Sequence, residues 1–223
     1  AAGGGGAGQV VARHGGISAP TDLTLLGALA EDDGRPVNLI DHALAPRAHA
    51  PGRRPVTLVS LGTSMNAGKT TSAAWLIRGL VRAGLRVGAA KVTGTGSGND
   101  PGLLRDAGAV RVLDFTDAGY ASTCQLELQQ LRDVACTLVS HLVEERDEAA
   151  VPGWSLEVLR GLTQQGPQPR AVCGALTRSP LARAEAAAAT GLPVLGLAQL
   201  GDAATARGLW AQAAEARVRG LAA

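Results

Sequence analysis

The stretch VTLVSLGTSMNAGKTT, residues 56–71, decides the predicted fold of this chain. Its first part, 56–61, is a short apolar run that is typical of a strand buried on both faces. Gly62 ends that run and opens a glycine-containing turn. Apolar residues spaced three and four apart then predict a helix over 69–83, with Gly84 as its C-terminal cap. The stretch therefore predicts a strand, a turn and a helix in direct succession.

The same alternation continues along the rest of the chain. Asp100 is predicted as the N-cap of a short helix, since Pro101 follows it. Strands that alternate with helices indicate a parallel sheet covered on both faces. We therefore predict an α/β fold over 56–223, a doubly wound, mainly parallel, Rossmann-like three-layer sheet of about five strands. Beyond the first unit, strands are predicted at 87–92, 110–113, 170–176 and 193–197, and helices at 100–108, from 126 onward, after Ser155, at 180–190 and after Asp202.

The first 50 residues differ in composition from the rest. Residues 1–50 are predicted to form a small β-rich appendage, because two apolar runs there flank the turn-forming sequence EDDG at 31–34. Proline, glycine and arginine cluster at 51–55, where they can sustain neither a strand ladder nor a helix. We interpret 51–55 as a linker to the domain at 56–223.

The composition narrows the classes of function. The chain has 223 residues and a mass of 22.5 kDa, enough for one domain with a small appendage. Aromatic residues make up 2% of it, and its net charge of +2 includes no polybasic block, so neither nucleic acid nor anionic lipid is expected as a partner. No apolar run reaches the roughly 18 residues of a membrane-spanning helix. Three widely spaced cysteines, and no signal-peptide pattern in 1–8, favour a reducing cytoplasm.

The turn after Gly62 has the residue types of a phosphate-binding loop. Between a strand and a helix, backbone N–H groups can point toward phosphate oxygens. Gly68 permits a close approach of the backbone, Lys69 supplies positive charge at the β- and γ-phosphates, and Thr70 offers a hydroxyl to Mg²⁺. Five residues separate Gly62 from Gly68, where the common pattern has four. The predicted nucleotide-binding set is Gly62, Thr63, Asn66, Ala67, Gly68, Lys69, Thr70 and Thr71.

With this spacing, GTSMNAGKTT resembles the loop of dethiobiotin synthetase and of the cobyrinic acid amide synthases. These belong to the P-loop (Walker A) class, which also holds nitrogenase-iron-protein-like ATPases. The sequence of this loop is more similar still to the C-terminal P-loop domain of a family that includes D-glutamate N-acetyltransferases. The resemblance covers about three-quarters of the chain, and only the phosphate loop is specific. It implies that the chain binds ATP and Mg²⁺.

A second group of residues follows the predicted strand at 87–92. Lys91 precedes the glycine-rich segment VTGTGSGND, and a lysine at the carboxyl end of a strand faces the crevice in which α/β sheets bind ligands. The segment resembles the corresponding strand and loop of dethiobiotin synthetase. That resemblance implies that Lys91 contacts the substrate carboxylate and neutralises charge on the transferred phosphoryl group. Thr93, Thr95 and Ser97 are predicted to offer hydroxyls to the substrate.

A bound Mg²⁺ needs at least one carboxylate beside Thr70. Asp114 closes the predicted strand at 110–113, and Asp117 follows three residues later. We predict that either carboxylate binds the metal directly or through water.

The resembled families carry a second metal-side carboxylate at the end of a buried strand, which would fall within 125–170. In this chain that range has helical spacing throughout, and no such strand is predicted. Three explanations stay open. Glu144 or Glu145 belongs to a strand that reads as a helix, or a segment is absent from this chain, or the carboxylate has been lost. The last would leave a nucleotide binder with little hydrolysis.

These observations predict an ATP- and Mg²⁺-dependent enzyme, assembled as a homodimer, that transfers a phosphoryl group to a small carboxylate or amine, or ligates it. Its catalytic residues would be Lys69, Lys91 and Asp114. A nucleotide-switched regulatory or carrier protein is a second hypothesis, although Thr63 or Ser64 stands where that group has its signature lysine. A coenzyme A-dependent N-acyltransferase is a third, because the phosphates of that cofactor could use the same amide cradle.

Overall fold

The structure is a computed structural model that describes residues 8–9, 21–47, 56–62, 67–96, 99–143, 149–155, 171, 173 and 180–221. Within these residues the chain is a mixed α/β protein with five short strands and six α-helices. The α/β class that the alternating pattern predicts is confirmed at this level.

The five strands form one parallel sheet. They are β1 (Val56–Thr57), β2 (Ser60–Gly62), β3 (Val87–Lys91), β4 (Arg111–Asp114) and β5 (Ala149–Ser155). β5 pairs on one side with both β1 and β2 and on the other side with β3, which pairs in turn with β4. The carboxyl ends of β2, β5, β3 and β4 therefore meet at one edge of the sheet.

Five of the six described helices agree closely with the predicted positions, and the helix at Leu197–Leu200 is not predicted from the sequence. The clearest end is that of the first, where Gly84 has φ +85°, the Gly84 N–H donates to Val81 O and the Leu85 N–H donates to Leu80 O. This pair of bonds is a Schellman motif, which satisfies the last carbonyl groups and confirms the predicted cap. The six helices are α1 (Lys69–Arg82), α2 (Asn99–Asp106), α3 (Leu128–Val143), α4 (Pro180–Thr190), α5 (Leu197–Leu200) and α6 (Ala203–Leu221).

Side chains of β3 alternate between two hydrophobic clusters. Val87 and Ala89 pack in a cluster with α1, α2, α5 and α6, whereas Ala90 packs in a cluster with α3. Because successive side chains of a strand point to opposite faces, the two clusters lie on opposite faces of the sheet. Ile77 of α1 and Leu138 of α3 are fully buried, one in each cluster. Burial of each such side chain contributes about 1.5–3 kcal/mol.

The helical interpretation of 125–170 is wrong for β5. α3 occupies 128–143 as predicted, but residues 149–155 form the strand between β2 and β3. Its sequence AAVPGWS contains Pro152 and Gly153, both of which are rare inside strands. Pairing with strands on both sides outweighs that weak local preference.

The described part of the appendage is less regular than predicted. Ala30 and Pro36 form an isolated antiparallel bridge around a turn in which Gly34 has φ +82°, but no strand is assigned within 21–47. A 3-10 helix, Leu39–His42, follows. The predicted linker at 51–55 lies outside the described residues.

Residues 39–45, the docked segment, contact the body of the fold. The Leu44 N–H donates to Asp117 O at 2.7 Å, and His141 Nε2 lies 3.0 Å from Ala45 O, to which it donates when that nitrogen carries hydrogen. The Leu44 side chain packs against the cluster of α3. The docked segment therefore lies on the turn that follows β4.

One further predicted strand, at 193–197, is not found, and another, at 170–176, lies mostly outside the described residues. Within 193–197 a single bridge residue, Val194, is assigned, and Leu197 begins α5. Of 170–176 only Ala171 and Cys173 are described, neither of them in a strand, and the helix predicted after Ser155 lies outside the described residues. Among the described helices, none is both long and apolar enough to cross a membrane.

Candidate functional site

The first turn of α1 lies directly beyond the end of β2. Gly68 is the N-cap of this helix and has φ +84° and ψ +16°, a left-handed conformation that glycine adopts without steric cost. The Ser72 N–H donates to Gly68 O at 2.8 Å, so the helix is hydrogen-bonded from its first turn. Thr70 is half-buried there and Thr71 is exposed. Thr63 and Asn66 of the predicted set lie outside the described residues.

Lys69 folds back over the end of β2. A Cβ on Gly62 would lie 2.7 Å from Lys69 Cγ and 3.0 Å from Lys69 Cδ, closer than van der Waals contact allows. It would also lie 3.1 Å from the Cβ of Ala67. The Ser60 hydroxyl donates to Lys69 O at 2.9 Å, and this hydrogen bond joins the start of α1 to β2. Gly62 is therefore the residue that leaves room for the stem of Lys69.

One row of residues crosses the sheet near its carboxyl edge. Ser60 is paired with Gly153, Gly153 with Lys91, and Lys91 with Asp114. Since neighbouring strands are about 4.8 Å apart, Ser60 and Lys91 are about 10 Å apart along this row, and Ser60 and Asp114 about 14 Å. Lys69, at the start of the helix that follows β2, and Lys91, at the end of β3, therefore lie at the same edge of the sheet, with β5 between β2 and β3.

The Lys91 ammonium group has a charged partner. It forms an ion pair with Asp100 in the first turn of α2, and its Nζ lies 5.9 Å from the centroid of the Phe115 ring. Gly94 has φ +143°, and a Cβ there would lie 3.0 Å from Lys91 Cε. The bare backbone of Gly94 and the Phe115 ring therefore line the path of the lysine to Asp100.

The loops after β3 and β4 are joined by hydrogen bonds. Thr95 and Ser122 form an antiparallel bridge, with their hydroxyl oxygens 3.3 Å apart. The Gly94 N–H donates to Thr123 Oγ1 at 2.8 Å, and the Thr123 N–H donates back to Gly94 O at 2.8 Å. Of the predicted substrate residues, Thr95 is thus exposed but engaged in this bridge, Thr93 is half-buried, and Ser97 lies outside the described residues.

Asp114 and Asp117 hold each other in one tight turn at the end of β4. Asp114 is 6% exposed, and its Oδ1 accepts hydrogen bonds from the N–H and the hydroxyl of Thr116. The Asp114 N–H donates to Asp117 Oδ2 at 2.7 Å. Both predicted metal ligands therefore already take part in the hydrogen bonds of their own turn.

The order of the strands bears on the metal site. Two strands, β5 and β3, lie between β2 and the strand that ends in Asp114. β5 lies directly beside β2, and Ser155 at its end is paired with Gly62, but none of the seven residues of β5 is acidic. Glu144 and Glu145 lie outside the described residues. Within the described part of the chain, no group of three or more His, Cys, Asp or Glu residues could hold a metal ion.

Asp100 is the main site residue that sequence reasoning missed. The pattern predicts it as a helix cap, but α2 begins at Asn99, and the Asp100 carboxylate turns to Lys91 instead. A carboxylate nine residues after a strand-end lysine, behind a glycine-rich loop, is the signal that was present.

Separate comparisons with protein-family models, curated proteins and solved structures each found no match to this chain.

Proposed function

We propose that this protein is an ATP-binding P-loop enzyme that transfers a phosphoryl group to a small carboxylate or amine, or ligates such a substrate. One observation carries the proposal. The stem of Lys69 lies against Gly62 at the start of a helix whose N-cap, Gly68, is left-handed, and this helix follows a parallel strand. In a doubly wound arrangement this edge of the sheet is where ligands bind.

The proposed roles follow from position. N–H groups in the first turn of a helix point toward its start and can donate to phosphate oxygens, and the helix dipole favours negative charge there. Lys69 adds an ammonium group at the same end of the helix. Lys91, at the same edge of the sheet, would neutralise charge on the phosphoryl group as it moves.

Mg²⁺ fits this site only in part. The hydroxyl of Thr70, at the start of α1, is a suitable ligand, and a bound Mg²⁺ would neutralise phosphate charge. Asp114 and Asp117 are hydrogen-bonded within their own turn, two strands removed from β2. The Mg²⁺ requirement, like the homodimer and the cytoplasmic location, therefore rests on the sequence.

The test is calorimetric titration of the full chain with ATP, GTP and acetyl-coenzyme A. ATP should bind the wild type, and Lys69→Ala should abolish that binding, because the ammonium group that faces the phosphates is removed. Arg78→Ala is the matched control, since Arg78 is exposed on the same helix and its loss changes the net charge equally. If Lys69→Ala binds ATP as tightly as the wild type, the proposed function is wrong.

The sequence of β5 favours a second candidate, a nucleotide-switched carrier or regulatory protein with slow hydrolysis. The strand beside β2 has no acidic residue with which to hold a metal or a water molecule. Tight ATP binding with turnover no faster than the Lys69→Ala background, across a panel of small carboxylates and amines, would favour this candidate. Binding of acetyl-coenzyme A in place of ATP would instead favour an N-acyltransferase.

A further inference from the structure

The ion pair between Lys91 and Asp100 links the end of β3 to the first turn of α2. The side chain of Lys91 is 15% exposed and that of Asp100 is 30% exposed. A charge removed from water to this extent needs a compensating partner, and Asp100 supplies it. The partner lies on a different element from the lysine, so the pair is made by the tertiary fold.

The surroundings of Lys91 direct its ammonium group toward one place. A Cβ on Gly94 would lie 3.3 Å from Lys91 Nζ, and the Phe115 ring lies under the ammonium group. Gly94 is itself held by hydrogen bonds with Thr123, whose N–H and hydroxyl both contact the Gly94 backbone. Backbone and ring thus fix the path of the lysine, while the charge it meets is the Asp100 carboxylate.

We propose that Asp100 is a positioning residue that occupies the place of a substrate anion. Its carboxylate neutralises Lys91 until a phosphate oxyanion arrives, and Lys91 then exchanges one oxyanion for the other. This inference rests on the proposed function for the identity of the anion, since Lys91 is there assigned to the transferred phosphoryl group. It adds that binding of this anion is opposed by a carboxylate of the protein itself.

Competition of this kind has a measurable consequence. In Asp100→Asn, the ammonium group keeps a hydrogen-bond acceptor but loses its anionic partner, so an incoming phosphate no longer has to displace a charge. We expect phosphate to bind about fivefold more tightly, the equivalent of about 1 kcal/mol, which is the upper end of the range measured for exposed ion pairs and suits a pair that is partly buried.

The experiment is calorimetric titration of the full chain with inorganic phosphate at constant ionic strength. Asp106→Asn is the matched control, because Asp106 lies exposed in the last turn of the same helix and its substitution changes the net charge equally. Asp100→Glu keeps the charge, so its affinity should stay near that of the wild type. Lys91→Met and the double variant Asp100→Asn/Lys91→Met complete a double-mutant cycle for phosphate affinity. Thermal unfolding confirms that each variant is folded.

The expected result is a gain in Asp100→Asn alone that disappears when Lys91 is also replaced. The inference is overturned if Asp100→Asn binds phosphate no more tightly than the wild type, or not at all. It is also overturned if Asp106→Asn shows the same increase in phosphate affinity, or if the increase persists in the double variant without Lys91. If Asp100→Asn does not fold, Asp100→Ser, which also removes the charge, takes its place, with the same expected result and the same contradicting results. ATP titration of Lys69→Ala tests the proposed function separately, so either can fail alone.

Discussion

Lys69 and Gly62 are in contact because Gly62 has no side chain. The stem of Lys69 lies so close to the Gly62 α-carbon that a Cβ there would be 2.7 Å from Lys69 Cγ. The contact joins the end of β2 to the first residue of α1, and it sets the direction in which the lysine leaves the helix.

Gly62→Ala should therefore displace Lys69. We expect ATP affinity to fall on the order of tenfold, because a displacement of about 1 Å at a phosphate contact is costly. Titration calorimetry measures the change. Gly102→Ala is the control, since a Cβ at Gly102 in α2 meets nothing within 4 Å. Equal ATP affinity in Gly62→Ala and Gly102→Ala would contradict this role for Gly62.

A second glycine, Gly79, allows α1 to pack closely against α5 and α6. A Cβ at Gly79 would lie 2.6 Å from the Cβ of Ala206 and would also press on the carbonyl oxygen of Leu200. Gly79→Ala should destabilise the protein by about 1–3 kcal/mol, as overpacking does in tight cores. Urea unfolding measures the loss.

Gly208→Ala is the matched comparison for Gly79→Ala. Gly208 lies exposed in α6, and a Cβ there meets nothing within 4 Å. Alanine has the higher helix propensity, so this variant should gain about 0.5–1 kcal/mol. Changes of the same sign in the two variants would mean that helix propensity, and not close packing, decides the effect at Gly79.

Asp202 caps α6, as the sequence predicts. Its Oδ2 accepts hydrogen bonds from the Thr205 N–H at 2.9 Å and from the Thr205 hydroxyl at 3.0 Å. The bond from the Thr205 N–H is the main cause that lowers the pKa of Asp202 below its ordinary value of 3.8. A lowered folded-state pKa contributes stability that is present above the unfolded pKa and is lost as the pH falls through the folded pKa.

Asp202→Asn should keep the cap and remove this pH dependence, because asparagine is an equally good capping residue. The Tm of the wild type should then fall relative to that of the variant as the pH drops below about 3.8. At neutral pH, Asp202→Ala should lower Tm by roughly 1–4 °C. Scanning calorimetry at several pH values measures both. A constant difference between wild type and Asp202→Asn at every pH would argue against the linkage.

Gly119 lies beneath the docked segment. It has φ +90°, and a Cβ there would lie 2.5 Å from Ile40 Cδ1 and 3.1 Å from the α-carbon of Ile40. Gly119→Ala should release residues 39–45 from the turn after β4. Hydrogen exchange at the Leu44 N–H, which is bonded to Asp117 O, should then become faster.

Gly84→Ala separates steric release from backbone strain. Gly84 has φ +85°, so alanine there carries a similar left-handed penalty of about 1–2 kcal/mol, but a Cβ at Gly84 meets nothing within 4 Å. We expect it to lower stability without faster exchange at Leu44. Faster exchange in both variants would assign the effect to general destabilisation.

Local signals account for much of the fold. The spacing of apolar residues and the position of Gly84 predict α1 to within a residue of its end, and Asp202 predicts the start of α6, because caps and helical periodicity lie within a few neighbouring residues. β5 has no such signal. It contains proline and glycine, and it exists as a strand because it pairs with residues far away in the chain.

The candidate site divides in the same way. Gly68 and Lys69 are predicted from a contiguous motif, and the structure places them at the start of α1. The partner of Lys91 could not be predicted, because a helix cap and an ion-pair partner have the same local sequence around Asp100. Only the packing of α2 beside β3 distinguishes them. The separation of Asp114 from β2 likewise depends on strand order, which periodicity does not determine.

The place of β5 has a consequence for how the molecule is made. β5 joins the two halves of the sheet, since it pairs with β1 on one side and β3 on the other. It is the last of the described strands in the chain, so it leaves the ribosome after the others. Until then, β2 and β3 each have an edge without a pairing partner. The chain between these strands and β5 must lose conformational entropy before either edge is paired. The sheet therefore becomes continuous only after residues 149–155 have been synthesised, and the pairings that complete it are long-range ones, which form slowly in general.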